Sequence, residues 1–393
     1  MPDAIEIPLC PRPVDGSIRP PGSKSITNRA VICAALARGT SQLSGVLDSQ
    51  DTRVMAAGLA ALGIDIATDW GAGTMQVVGC GGRIPAAEAT IDCAASGTTI
   101  RFLSAVCALG HGVYRLDGTP RMRKRPIGDL VEALRELDVE AVAESAGGCP
   151  PVAIRSHGLA GGAARVRGDT SSQFASGLAL AAPCTARGMR IEFEGRLVSL
   201  PYLEMTRRVM ASFGAACEPT DTGGWQIAPS GYAACDYPIE PDASAASYFF
   251  AAAAITVSGR ASRGVDIDMN AISDTVPTLA VAALFADGPT TIRNVAHIRD
   301  KETDRIGDLA RELRKLGATV DEFHDGLTIH PTPLHGATLD TYDDHRMAMS
   351  LALAGLLVPG VRINDPGCVG KTFPDYWRRL ATIAKLDTAH WPK

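Results

Sequence analysis

The segments IGDLVEALRELDV, from Ile127 to Val139, and IGDLARELRKLGA, from Ile306 to Ala318, agree without a gap at seven of thirteen positions and lie nearly half the chain apart. Apolar residues three and four apart mark each as an amphipathic helix. Their endings belong to a motif with four copies: LAALGIDIA from Leu59, LRELDVEAV from Leu134, MASFGAACE from Met210 and LRKLGATVD from Leu313. Two apolar residues three apart close each helix. Gly63, Gly214 and Gly317, and Asp138 in the remaining copy, then stand where a left-handed residue stops it. The short alternating run that follows reads as a strand. Duplication of such αβ steps predicts an α/β protein of two similar domains made from repeated units. Its ligand is expected where loops of both halves converge.

A chain of 393 residues suits two domains of ordinary size. Apolar residues make up 46% and charged residues 21%, as in globular proteins. The longest apolar stretch, Tyr248 to Val257, is too short to span a bilayer. The opening MPDAIEIPLC has neither the basic flank and apolar core of a signal peptide nor the character of a transit peptide, so we expect a cytoplasmic protein with no membrane role. Ten scattered cysteines without a C-x-x-C pair read as reduced core thiols, with no metal site. A net charge of −5 argues against general nucleic-acid binding. Neither G-x-G-x-x-G after a strand nor a P-loop occurs, and no cofactor is expected.

Cations nevertheless recur in short loops. PPGSKSITNR, from Pro20 to Arg29, places Lys24 and Ser25 in the first turn of a helix and Arg29 one turn on, a competent cradle for phosphate or carboxylate. ASGTTIRF, from Ala95 to Phe102, lets backbone approach a ligand, with Thr98 and Thr99 to cap or donate and Arg101 to orient the loop. RMRKRPIG, from Arg121, opens the first duplicated helix, with Pro126 suited to its first position, and RDKETDRIG, from Arg299, opens the second. Both put a guanidinium, Arg125 or Arg305, ahead of an equivalent helix, where the dipole favours anions. Lys301, Glu302, Asp304 and Arg305 alternate in charge over what would be one helical turn, ordinarily a salt-bridged surface. DDHRMAM sets His345 and Arg346 ahead of an apolar helix, and GCVGKTFPDYW isolates Lys371 in a glycine loop. Five separated cationic loops in an acidic protein point to a highly anionic pair of substrates.

Taken in order, PPGSKSITNR, SGT-x-x-R, PRMRKRPIGDL, SSQF from Ser171, DKETDR, DDHRMA and GKTFPDY resemble the 5-enolpyruvylshikimate-3-phosphate synthase family over nearly the whole chain. The resemblance implies two domains, each of three βαβαββ units in an inside-out α/β barrel. The first comprises residues 1–22 with 242–393, the second 23–241, and the active site lies in the cleft they form. It implies transfer of the enolpyruvyl group of phosphoenolpyruvate to the 5-hydroxyl of shikimate 3-phosphate by a monomeric enzyme. For shikimate 3-phosphate it implicates Lys24, Ser25, Arg29, Ser171, Ser172, Gln173, Ser199, Asp274, His297 and Lys301. For phosphoenolpyruvate it implicates Lys24, Gly97, Arg125, Gln173, Arg305, Arg346 and Lys371. Asp274 resembles the family's proton acceptor and Glu302 its donor, with Lys24 able to share either duty. The alternative for Asp274 is a helix N-cap.

Ala95, Phe102 and His297 depart from the commoner Asn, Pro and Asn of the family, and the first two are expected to alter the floor of the phosphoenolpyruvate pocket. Gly97 is the residue that usually leaves room for the inhibitor glyphosate. The sister transferase acting on UDP-N-acetylglucosamine generally carries a catalytic cysteine shortly before the arginine matching Arg125, and Gly118 to Lys124 contains none. A nucleic-acid-binding relative of the fold is disfavoured by negative charge and few aromatics. Retention of Asp274 and Glu302 argues against a non-catalytic paralogue.

Overall fold

The inner helices are buried on nearly every side, in layers in which sheets cover helices. A computed structural model describes residues 3–258, 263–388 and 391. The chain divides into two compact units, Gly22–Pro241 and Met1–Pro21 with Asp242–Lys393. Gly22 lies with the larger unit because it forms an antiparallel bridge to Pro241.

In the larger unit, α1 (Lys24–Leu36) runs directly into the strand Ala37–Ser44, and α2 (Gln50–Ala61) leads to the hairpin Asp65–Asp69 and Thr74–Cys80. Tyr232–Ala233 and Asp236–Pro238, from the end of the unit, pair parallel with Ala37–Ser44 and complete that sheet. The next unit is a full βαβαββ: Glu88–Asp92, α3 (Gly97–Cys107), His111–Asp117, α4 (Gly128–Glu136), Glu140–Ser145 and Cys149–His157. Its first two strands are parallel, and the last two add antiparallel. Gly162–Arg167, α5 (Ser172–Ala181), Met189–Glu194, α6 (Leu200–Ser212), Cys217–Pro219 and Trp225–Ile227 repeat the plan. Every residue of α3 and nearly every residue of α1 and α5 is buried.

The second segment of the smaller unit begins with α7 (Ala243–Ser258). Asp266–Asp268, α8 (Val276–Ala283), Thr290–Arg293, α9 (Gly307–Lys315), Thr319–Phe323 and Gly326–His330 form another complete βαβαββ. Thr338–Leu339, α10 (His345–Gly355), Arg362–Asn364 and α11 (Tyr376–Ala384) follow, and the N-terminal strand Ala4–Glu6 pairs antiparallel with Arg362–Asn364. Two sheets thus serve this unit among its described residues, against three in the larger one. The first face α7 turns outward carries Phe250, 75% exposed, and Val257, 65% exposed.

The duplicated segments form α4 and α9, which begin at the same glycine of the motif. All four predicted helix stops are left-handed: Gly63 at φ 86°, Asp138 at 63°, Gly214 at 82° and Gly317 at 93°. In each, the next residue's N–H reaches back five positions: Ile64 to Leu59, Val139 to Leu134, Ala215 to Met210 and Ala318 to Leu313, at 3.0–3.2 Å. This six-to-one bond satisfies a carbonyl that the helix end would orphan and turns the chain toward its strand. Pro126 sits just outside α4, whose N-cap is Ile127, rather than at its first position. The ten cysteines are all free thiols.

Gly177 brings two inner helices together: a Cβ there would stand 2.9 Å from the Arg101 carbonyl oxygen of α3. A backbone atom cannot yield as a side chain can. Gly177→Val is expected to lower the unfolding free energy by about 1–3 kcal/mol, read from urea denaturation.

Candidate active site

In the smaller unit, five of the expected residues converge. Arg305 is only 1% exposed, and three carboxylates surround it. Its Nε and Nη2 donate to Asp344 at 2.7 and 3.1 Å, Nη1 donates to Asp274 Oδ1 at 3.0 Å, and Nη2 donates to Glu302 Oε2 at 2.8 Å. The other oxygen of Asp274 accepts from Arg346 Nη2 at 2.9 Å, and the other oxygen of Glu302 accepts from Lys371 Nζ at 2.9 Å. Lys371, Glu302, Arg305, Asp274 and Arg346 therefore alternate in charge along one continuous, partly buried chain. Burial pulls the Arg305 guanidinium down, but Asp344, Glu302 and Asp274 outweigh it and hold it above the ordinary arginine value.

Local structure explains this convergence. Residues 301–305 form bends and a turn rather than a helical turn. Released from helical spacing, Glu302 and Arg305 enter the network, while Asp304 accepts the Ile306 and Gly307 N–H groups at the start of α9. His345 and Arg346 lie inside the first turn of α10, not ahead of it. Asp344 is the N-cap, accepting from the Arg346 N–H at 2.8 Å while it holds Arg305. Asp274 is not a cap: α8 starts after Thr275, and both Asp274 carboxylate oxygens are taken by guanidinium groups. Lys371 is buried rather than solvent-facing.

The loop before α10 is held from behind. Tyr342 and Asp343 are consecutive left-handed residues, at φ 55° and 56°, a strained pair that needs support. Support comes from the wholly buried Glu312, which accepts from the Asp340 N–H at 2.9 Å and the Tyr342 hydroxyl at 2.5 Å. His297 Nε2 is 2.9 Å from Ser273 Oγ, next to Asp274. Burial, then the neighbouring Lys301, push its imidazole down to about 4, against the pull of Asp274.

In the larger unit the expected residues cluster at helix starts. Ser23 caps α1, whose first residue, Lys24, pairs with Asp51 of α2 at 3.1 Å, and Ser25 follows, half-buried. Arg29 is buried. Its guanidinium donates to Thr206 Oγ1 and to the Ser25 and Tyr202 carbonyls, and it makes no ion pair among the described residues. Desolvation lowers it to about 10. The Phe102 ring lies 5.1 Å from it, so this departure from the family's Pro builds a platform under Arg29. Of the basic run from Arg121, Arg125 alone among the cations is buried. A Cβ on Gly97 would fall 2.6 Å from Arg125 Nη2, so the missing side chain gives room to that guanidinium. Ser171 caps α5, followed by Ser172 and Gln173. Gln173 donates to Thr98 and accepts from Arg101. Ser199, left-handed at φ 55°, precedes α6.

The residues that sequence reasoning passed over are Asp344, Asp51, Ser273 and Glu312. Asp344 was signalled by its place before an apolar helix, and Asp51 by the capping box of Ser49 and Thr52 that starts α2. Glu312 had no signal, since its burial follows from tertiary packing. Among the described residues no group of three His, Cys, Asp or Glu is placed to hold a metal ion, and no helix is long and apolar enough to cross a membrane.

The family model for EPSP synthase (3-phosphoshikimate 1-carboxyvinyltransferase) matches residues 10–260 and 256–380. The chain belongs to this family. A 3-phosphoshikimate 1-carboxyvinyltransferase of Nostoc punctiforme is 46% identical over 419 residues, covering 96% of this chain and 98% of its own. Another, from Thiobacillus denitrificans, is 43% identical over 419 residues, with 94% and 97% covered. The solved EPSP synthase of Acinetobacter baumannii shares the fold at a TM-score of 0.79 and 23% identity, covering 97% of this chain and 98% of its own. The enolpyruvyl transferase NikO of Streptomyces tendae does so at 0.71 and 20%, covering 97% and 96%. An alignment of 419 positions exceeds the 393 residues present, so these EPSP synthase relatives carry segments that this member lacks. The two family matches meet at 256–260, at the end of α7.

Two outcomes follow. Asp344→Ala strips Arg305 of its buried partner and α10 of its cap, and is expected to cost about 3–5 kcal/mol in urea unfolding. The unfolded chain protonates His297 near its ordinary value of 6.5 and the folded protein only near 4, so this group subtracts stability as pH falls through that window. His297→Asn should lose about 2 kcal/mol less than the wild type between pH 7 and pH 4.5, measured by urea unfolding at both.

Proposed function

We propose that this protein transfers the 1-carboxyvinyl group of phosphoenolpyruvate to the 5-hydroxyl of shikimate 3-phosphate, releasing phosphate, in the pathway to chorismate and the aromatic amino acids. The supporting observation is the joining of Asp274 and Glu302 to Arg305, Arg346 and Lys371 in one network, in a chain related end to end to 3-phosphoshikimate 1-carboxyvinyltransferases. Lys24, Gly97, Arg125, Gln173, Arg305, Arg346 and Lys371 are assigned to phosphoenolpyruvate. Lys24, Ser25, Arg29, Ser171, Ser172, Gln173, Ser199, Asp274, His297 and Lys301 are assigned to shikimate 3-phosphate. The buried Arg29, without a carboxylate partner of its own, suits a carboxylate of the ligand.

The hydroxyl oxygen adds to the central carbon of phosphoenolpyruvate as the methylene carbon takes a proton, giving a tetrahedral intermediate. Loss of a methyl proton and of phosphate then restores the double bond. Asp274 accepts the hydroxyl proton and Glu302 supplies the methylene proton, each reversing its state on elimination, with Lys24 able to assist. Without ligand, both carboxylates are held by cations, which favour the ionised form. Phosphoenolpyruvate brings a carboxylate and a phosphate that compete for Arg305, Arg346 and Lys371. As these cations turn to the ligand, the carboxylates of Asp274 and Glu302 are freed to face the reacting atoms. The proposal extends to a cytoplasmic monomer, in keeping with small, soluble substrates.

A phosphate-release assay with phosphoenolpyruvate should respond to shikimate 3-phosphate and not to UDP-N-acetylglucosamine, and release with the nucleotide sugar alone overturns the assignment. Asp274→Asn and Glu302→Gln should each lower kcat by about 10²–10⁴ while the protein remains folded by circular dichroism. Near-normal turnover in either variant removes that residue from proton transfer.

A further inference from the structure

We propose that Arg101 is a positioning residue that sets the ligand-facing state of both Gln173 and Arg125. The inference rests on the assignment of those two residues to substrate. Arg101 is buried on α3, one turn beyond Gly97. Nη1 donates to Gln173 Oε1 at 2.7 Å, Nη2 donates to the Pro126 carbonyl at 3.0 Å, and the guanidinium lies 5.1 Å from the centre of the Phe174 ring. One rigid fork therefore ties three segments together: the start of α3, the peptide following Arg125, and the start of α5.

Two consequences follow from donor and acceptor chemistry. A side-chain amide has one accepting and one donating end. Arg101, always a donor, occupies the accepting end of Gln173, and Thr98 Oγ1 takes an N–H from the other at 3.3 Å. Flipping the amide would set NH₂ against guanidinium, donor against donor, so Gln173 is fixed with its N–H groups as the end offered to an anion. The second arm holds the carbonyl of Pro126. That peptide is adjacent to Arg125, whose guanidinium lies over Gly97. Arg101 thus anchors the Arg125 backbone from the same helix on which the Arg125 side chain rests. Lysine, a single point donor, cannot span the Gln173 and Pro126 oxygens together.

The test combines steady-state kinetics with thermal unfolding for Arg101→Lys, Gln173→Ala and the double variant. Arg101→Lys should raise the KM for phosphoenolpyruvate roughly tenfold or more. The same substitution in the Gln173→Ala background should cost clearly less, because part of its effect passes through that amide. If Arg101→Lys leaves both KM values and kcat within about twofold, or if the two costs simply multiply, the positioning role is wrong. If Gln173→Ala is itself silent in both KM values, the substrate-site assignment fails and the proposal falls with it. Should Arg101→Lys fail to fold, Gln173→Glu reads the same contact. A carboxylate facing Arg101 should raise Tm and also raise the KM for phosphoenolpyruvate, since a donor to anions has been lost. An unchanged or lowered Tm overturns the inference.

Discussion

Burying the guanidinium of Arg305 is the constraint around which the smaller unit is organised. A charge removed from water in this way is tolerable only if partners replace its hydration in both charge and geometry. Asp344 supplies a two-bonded grip, and Asp274 and Glu302 complete the shell. Each of those acids then requires support of its own, which Arg346 and Lys371 provide. The result places three cations against three carboxylates, so its net charge is zero until a ligand arrives.

The larger unit solves a different problem by different means. Its inner helices are buried nearly all round, and donors gather at their starts. Ser23, Ser96 and Ser171 cap α1, α3 and α5, and the residues directly after each cap include Lys24, Gly97 and Gln173. Arg29 lies deeper, held by neutral oxygens and the Phe102 ring. Its charge is left uncompensated by acids, in contrast to Arg305. One unit thus stores matched charge and the other stores a bare cation.

Much of this was readable before the structure, where the signal was local. The four helix stops depended on one glycine or its equivalent followed by a strand, and all four adopt the left-handed geometry that such a stop requires. The cationic loops were visible because they interrupt an acidic, apolar chain. What escaped was set by packing between distant segments. The alternating charges of residues 301–305 looked like one helical turn, but Asp304 accepts the Ile306 and Gly307 N–H groups ahead of α9 and the residues before it bend. Glu312 carried no local signal, yet it braces a strained turn from the core. The contact of the Phe102 ring with Arg29, 5.1 Å away, likewise joins residues far apart in sequence.

The uncharged helix α7 has a bearing beyond chemistry. None of its sixteen residues is acidic or basic, and the side chains of Phe250 and Val257 are largely exposed. Nothing on that face repels another apolar surface. Salts that strengthen the exclusion of apolar groups from water act on exposed apolar side chains of this kind. Phe250 and Val257 make none of the hydrogen bonds of the charged network, so these exposed positions can be substituted without removing any of its members.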